Sequence, residues 1–428
     1  MNAIPNFASP QSADRDDASR PARLKRLLAR RGDRRDVEEA AHALSDAELI
    51  AFGLRAFHMN LLSLFGETWS EDKIAATARA ATINKIVGSW DYHHHYLPGL
   101  TATPDEPQVG DVPLDLIREI LERGRGLVLT SFHLGPMRYL GSDIAHAGIP
   151  VCLPLARDSF GDYESARSDN PGAAVWECLR FVNVEDRGGA LALAKTLARG
   201  GCLQAAIDGN TGQDGPRGDQ QRATVRILGS QARVKTGLFF MAARYGSPVL
   251  AGIAHTDGGK RLCRTTSVLD PGGPLAGEEA EQFVEAAVQS VYSFFGEILS
   301  DHADEWCGGD LFHQWRVPST LPKRDLREVE QSLGRSLGAG GRLGINRRRI
   351  IQLGGDGDTT WSDAPSGKCF RLPAEMAGLA RQLAAPGSGV GLDWLDRHPA
   401  TERSRIWTFM CQLASRDAIR PIDQAAFT

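Results

Sequence analysis

The sequence predicts an α/β protein: a largely parallel central sheet flanked by helices, with helices before it and a small α+β domain after it. Three observations carry this. Between residues 113 and 302, short β-type runs alternate with amphipathic helical segments, which is the texture of strand–helix–strand units around a parallel sheet. From Pro21 to Tyr96 the apolar residues recur at helical spacing. Beyond the glycine-rich "SLGRSLGAGGRLG" the pattern becomes short strands followed by short helices.

The elements follow in order. Residues 1–20 are rich in Asp, Ser, Pro and Asn and read as a disordered tail. "RPARLKRLLARRGDRR" is basic, and fits either a solvated helix face or contact with an anionic partner. "SDAELIAFGLRAFHMNLLSLFG" opens with Ser45, Asp46 and Glu48, an N-cap and an acidic first turn, so the N-terminal helical part runs over 21–112. Then helix "PLDLIREILERG" precedes strand "GLVLTS" (126–131), and helix "PMRYLGSDIAHAG" precedes strand "PVCLPLA". Helix "GGALALAKTLARGG" precedes strand "CLQAAID", and helix "RVKTGLFFMAARYGS" precedes strand "PVLAGIAH", with "RLCRTTSVLD" after it. A long helix over about 277–301 and an aromatic end piece, 303–322, close this part. Residues 323–343 read as a flexible linker. The small domain, 344–424, has strands in "RRRIIQL", "TTWSD" and "KCFRLP" and helices in "AEMAGLARQLAA" and "ERSRIWTFMCQLASRD".

Composition narrows the function classes. A net charge of −4 over 428 residues argues against bulk nucleic-acid binding. Seven scattered cysteines with no C-x-x-C pair argue for reduced thiols rather than a disulfide framework or zinc site. Apolar runs fall far short of the ~20 residues that span a bilayer, and the N-terminus has no signal-peptide core. These features predict a cytoplasmic protein without a transmembrane segment.

His133 is the chemical focus. It follows a strand and precedes a helix, so it lies in the crevice beyond the carboxyl ends of a parallel sheet, where open α/β sheets bind ligands. A neutral imidazole there can deprotonate a hydroxyl or amine attacking a carbonyl.

Its surroundings resemble the bacterial lipid A lauroyl/myristoyl acyltransferases of the lysophospholipid acyltransferase superfamily, over about 120–316. "RGRGLVLTSFHLGPMRYL" is similar to that family's strand, histidine–glycine turn and helix. The strand ending at Asp208, the G-P-R-G turn (215–218), the "ILG" hairpin, the helix after Lys235-Thr236-Gly237 and the "G-S-P-V-L" strand follow in the family's order. "ADEWCGGDLFHQW" resembles its closing element. The resemblance implies a glycerolipid acyltransferase-like fold and acyl transfer from an acyl carrier protein or coenzyme A thioester to a hydroxyl or amine, without a metal or other cofactor. It implies His133 as base; Gly135, Arg217, Lys235 and Thr236 are the candidate substrate-binding residues in that frame, and Arg138 joins them where the sequence departs from the family.

The family signature is H-x4-D/E, and here the acid position holds Arg138. An arginine has only donors and cannot orient or support an imidazolium. Three readings stay open. Another acid replaces the missing one, with Asp208 ahead of Asp143; or Arg138 binds an acidic acceptor or a carrier phosphate while His133 acts alone; or the site is inert. In "DGNTGQDGPRG" the glycines and Arg217 fit a phosphate or oxyanion cradle as well as plain turns.

"DYHHHYLPG" (91–99) puts three histidines in a row, which cannot all face one ion. It also lines up with the H-H-x-x-x-D-G pattern of condensation domains, except that Pro98 stands where Asp belongs. Length and element order argue against that fold, and lining the acceptor mouth is the remaining role. The C-terminal region is similar to the winged-helix peptide-binding domain of the pyrroloquinoline quinone synthesis protein D type, on "D-x-x-S-G-x-x-F-x-L", a helix, a "G-x-G" break and a second helix. That implies a peptide or carrier as guest; a stabilising appendage is the alternative. The expected function is acyl transfer to a small or carrier-bound acceptor in specialised metabolism. A glycerolipid or lipid A acyltransferase peripheral to the inner membrane and a non-catalytic acyl- or peptide-binding scaffold are the rivals.

Overall fold

A computed structural model of the chain describes residues 20–209, 222–353, 359–385 and 388–422. The expected tail up to residue 19 and the G-P-R-G turn with Arg217 lie outside them. The chain divides into two units. One comprises residues 1–54 and Thr77–Arg316; the other comprises Arg55–Ala76 and Val317–Thr428.

The first unit is built on a six-stranded sheet. Its strands are β1 (Leu127–Ser131), β2 (Val151–Leu155), β3 (Leu179–Asn183), β4 (Cys202–Ala206), β7 (Val249–Asp257) and β8 (Lys260–Thr265). The order is β3-β2-β4-β1-β7-β8, parallel except for the edge strand β8. This is the mostly parallel sheet that the alternating pattern predicts. β1 lies between β4 and β7 and is buried along its whole length, which is why its sequence, LVLTS, does not alternate. Its register against β4 pairs Ser131 with Ala206. Residues 133 and 208, each two positions further on, therefore emerge side by side at the carboxyl edge.

Three elements differ from the expectations for this unit. Lys235 ends a strand rather than lying in a helix: β5 (Arg222–Ile227) and β6 (Ser230–Lys235) form a hairpin, and the helix starts at Gly237. Alternating burial along β6 marks it as a strand. The helix Arg157–Asp169 and strand β3 were not foreseen. RDSFGDYESARSD buries only Tyr163 and has no apolar stripe to read.

The helix Gly277–His302 fixes the residue before the candidate base. Phe132 is fully buried, stacked on Phe295 with ring centroids 3.8 Å apart, and meets Tyr292 edge-on at 5.2 Å.

In the second unit, β10 (Ile350–Gln352), β11 (Thr360–Asp363) and β12 (Lys368–Arg371) form an antiparallel sheet, and β9 (Leu343–Ile345) pairs with β13 (Ile419–Pro421). Residues 323–343 are not a flexible linker. They contain the helix Leu326–Gly338, capped by Asp325, and its Val329, Leu333 and Leu337 are buried with Leu343, Trp361, Leu379 and Met410. Spacing of three to four residues puts those side chains on one face, which the glycines at 334 and 338 do not break. Arg55–Ala76 also belong to this unit: Ser63 donates to the Ala364 carbonyl at 3.1 Å, and Arg420 pairs with Glu71 at 2.8 Å.

A chain ending at Ser336 leaves Val329 and Leu333 without their core, each worth about 1.5–3 kcal/mol on burial. Soluble yield and melting temperature are expected to fall. Unchanged melting of such a chain would contradict this packing.

Candidate active site

His133 and Asp208 meet at the carboxyl edge of β1 and β4. Asp208 Oδ1 lies 2.7 Å from His133 Nδ1, and the His133 backbone N–H reaches both carboxylate oxygens, at 3.0 and 3.1 Å. Trp306 Nε1–H donates to Oδ2 at 2.9 Å. The Asp208 side chain is wholly buried, whereas that of His133 is 33% exposed. Burial pushes the Asp208 carboxyl up, but the His133 charge and the hydrogen bonds from His133 and Trp306 outweigh it and hold the group below its ordinary value. An ionised carboxylate at Nδ1 assigns the ring proton to Nδ1. Nε2 is then left with its lone pair, and it makes no hydrogen bond among the described residues.

The local chain makes this arrangement compulsory. Gly135 adopts φ +54°, and a Cβ there would sit 2.7 Å from the Ala254 carbonyl oxygen and 2.6 Å from Glu305 Oε2. Its N–H donates to the Glu305 carbonyl at 3.0 Å, so this amide holds the turn and is not open to a substrate. Residues 305–308 strap the turn from the other side. Leu134 bridges Trp306, the Gly308 N–H donates to the His133 carbonyl at 3.3 Å, and the Cys307 thiol donates to the same oxygen at 2.9 Å. Burial pushes that thiol up. The Glu305 carboxylate in turn accepts the Thr256 N–H at 2.9 and 3.0 Å.

Gly308 is needed for space. A Cβ would lie 2.8 Å from Asp208 Oδ2, 3.2 Å from His133 Cβ and 3.3 Å from Trp306 Nε1. Gly308→Ala is expected to displace the carboxylate and, in any reaction that uses His133 as its base, to lower turnover by about 10²-fold, as a misplacement of about 1 Å does. A kcat within a factor of two of wild type would contradict that clamp.

The other expected residues separate into groups. Asp143 is not the partner of His133. It is buried and accepts the backbone N–H groups of Gln108 at 3.0 Å and Val109 at 2.8 Å, and burial raises its carboxyl. Arg138, in the first turn of the helix Met137–His146, stands with its guanidinium 4.5 Å from the Tyr92 ring centroid. Lys235 and buried Thr236 close the base of the β5–β6 hairpin, and neither takes part in the hydrogen bonds of the His133–Asp208 pair.

The three-histidine string is a π-type turn, Tyr92–Tyr96, extending the helix Glu71–Asp91. His94 and His95 pack on Trp90, and His94 Nε2 lies 3.1 Å from the Leu28 carbonyl oxygen. The tyrosines turn toward the helix that follows His133. The Tyr96 hydroxyl donates to the Arg138 carbonyl at 3.1 Å and lies 2.8 Å from the Tyr163 hydroxyl, and the Tyr92 hydroxyl donates to Asp162 at 3.1 Å.

Sequence reasoning missed Trp306 as a donor to the carboxylate, Gly308 as the space beside it and Tyr92 as the seat of Arg138. The "WCGG" run held a signal for the first two: an indole donor beside paired glycines is a means of bringing a polar edge against a neighbouring backbone. No family model and no curated protein matches this chain, so the residues around His133 are read from their own chemistry.

Proposed function

We propose that the protein is an acyltransferase that moves an acyl group from an acyl carrier protein or coenzyme A thioester to an amine or hydroxyl, with His133 as general base and Asp208 as its orienting acid. The observation that carries this is the buried Asp208 carboxylate, which makes hydrogen bonds to both the ring and the backbone of His133 and leaves Nε2 open at a parallel-sheet edge. In this reading Asp208 fulfils the task that the family's H-x4-D/E acid performs and that Arg138 cannot. The sheet is then a glycerolipid acyltransferase-like core, and the second unit a winged-helix-like domain for a peptide or carrier.

Nε2 accepts the proton of the attacking N–H or O–H as the new C–N or C–O bond forms. Asp208, staying ionised, supports the imidazolium. Collapse of the tetrahedral intermediate breaks the C–S bond, and the imidazolium returns the proton to the leaving thiolate. General-base help of this kind contributes about 10²–10⁴-fold. The test is an intact-mass assay of the full chain with acyl-loaded carrier proteins and acyl-coenzyme A of several lengths, against amines and alcohols. Acceptors gaining the acyl mass support the proposal; donor binding with neither transfer nor thioester loss supports a scaffold.

A further inference from the structure

We infer that the acceptor carries its own negative charge, a carboxylate or phosphate monoester close to its nucleophile, and that Arg138 is the residue that selects it. This rests on the acyl-transfer reading and deepens it. Arg138 is five residues beyond His133. It lies in the first turn of the helix Met137–His146, which leads directly out of the His133 turn, and the Cys307 thiol that caps the His133 carbonyl at 2.9 Å is reached by the charges of Arg138, Asp208, Lys85 and Asp310. Among the described residues Arg138 forms no ion pair. Asp162, beside the same aromatic ring, accepts the Tyr92 hydroxyl instead. The guanidinium is held on the Tyr92 face, and Tyr96 fixes the backbone carbonyl of the same residue.

A cation seated on a ring keeps its N–H edge free for a planar oxyanion. A partner carboxylate in that place would leave the edge filled; its absence beside a base makes an open anion subsite. The subsite suits the acceptor better than the donor. A carrier or coenzyme A phosphate is joined to its thioester by the long pantetheine arm, and a phosphate at Arg138 would hold the reacting carbonyl away from Nε2. An anion a few bonds from the nucleophile, as in an amino acid or a phosphorylated amino alcohol, matches the five-residue separation of Arg138 and His133 better than one at the far end of that arm.

The experiment pairs acceptors that differ in charge: glycine with glycinamide, serine with serinamide, and phosphoethanolamine with ethanolamine. Each is assayed with two donors, octanoyl-coenzyme A and the octanoyl thioester of N-acetylcysteamine, which lacks phosphate. Wild type is expected to prefer the anionic member of at least one pair by tenfold or more in kcat/KM, with both donors. Arg138→Ala is expected to collapse that preference through KM, and Arg138→Lys to restore part of it. Equal use of charged and neutral partners overturns the inference, as does an Arg138→Ala defect confined to octanoyl-coenzyme A, which would assign the anion to the donor. Calorimetric titration with the six acceptors, without donor, separates the two levels. Arg138-dependent binding of an anionic acceptor with no acyl product from any donor would sink acyl transfer and keep the anion subsite. Indifference to charge in binding would sink the subsite alone.

Discussion

In the proposed acyl transfer, Asp208→Asn is expected to lower the rate about 10⁴-fold without unfolding the protein, the loss that follows when a histidine base is held in its wrong tautomer. The carboxylate oxygens accept from His133 Nδ1, the His133 backbone N–H and Trp306 Nε1. An asparagine keeps one acceptor oxygen and adds an NH₂ among those donors. Turned toward the ring, the NH₂ makes Nδ1 the acceptor and moves the proton to Nε2, where it blocks proton removal from the incoming nucleophile. Leaving a buried donor unsatisfied costs about 1–3 kcal/mol, so the melting temperature falls modestly. Single-turnover rates measure the effect, and imidazole ¹⁵N shifts report the tautomer. A rate within tenfold of wild type, or an Nε2–H tautomer in the wild type, would contradict the assigned roles.

His133→Ala removes the base itself, and the expected loss is about 10⁴-fold in kcat, the upper end of what a general base contributes. The side chain is one-third exposed and the backbone N–H stays on Asp208, so the fold survives. The variant does leave a buried carboxylate with one donor fewer. His133→Asn, whose amide can still donate to Asp208, separates that effect from the chemistry: it is expected to recover stability and not turnover. Recovery of both would place the base elsewhere.

Much of the first unit is legible because buried parallel strands have a plain signature. LVLTS between Gly126 and Phe132 can be little else, and a histidine at its end lies at the ligand-binding edge. Asp208 was visible as another strand end, but its contact with His133 depends on the β1–β4 register, which no local pattern states. The Trp306 bond to Asp208 spans 98 residues, and an indole in an aromatic run reads first as packing. Glycines at 334, 338, 340 and 341 concealed the Val329–Leu333–Leu337 stripe, because flexibility was inferred from composition while the apolar spacing specified a helix. Apolar periodicity in Arg55–Phe65 announced a helix correctly but says nothing about which core receives it. The string of histidines drew attention by its chemistry, although the tyrosines flanking it are the residues that meet Arg138.

One measurement tests the central claim most directly: a single-turnover intact-mass experiment with wild type and His133→Asn at saturating octanoyl carrier protein, with glycine as acceptor and donor binding measured in parallel. The His133–Asp208 assignment predicts that wild type transfers the octanoyl group to glycine, or to another acceptor of the amine and alcohol panel, with release of the free carrier thiol. His133→Asn should bind the donor as tightly and form no product on the same timescale. Equal product formation by both proteins, or donor binding by wild type with no thioester cleavage against any acceptor, would contradict it.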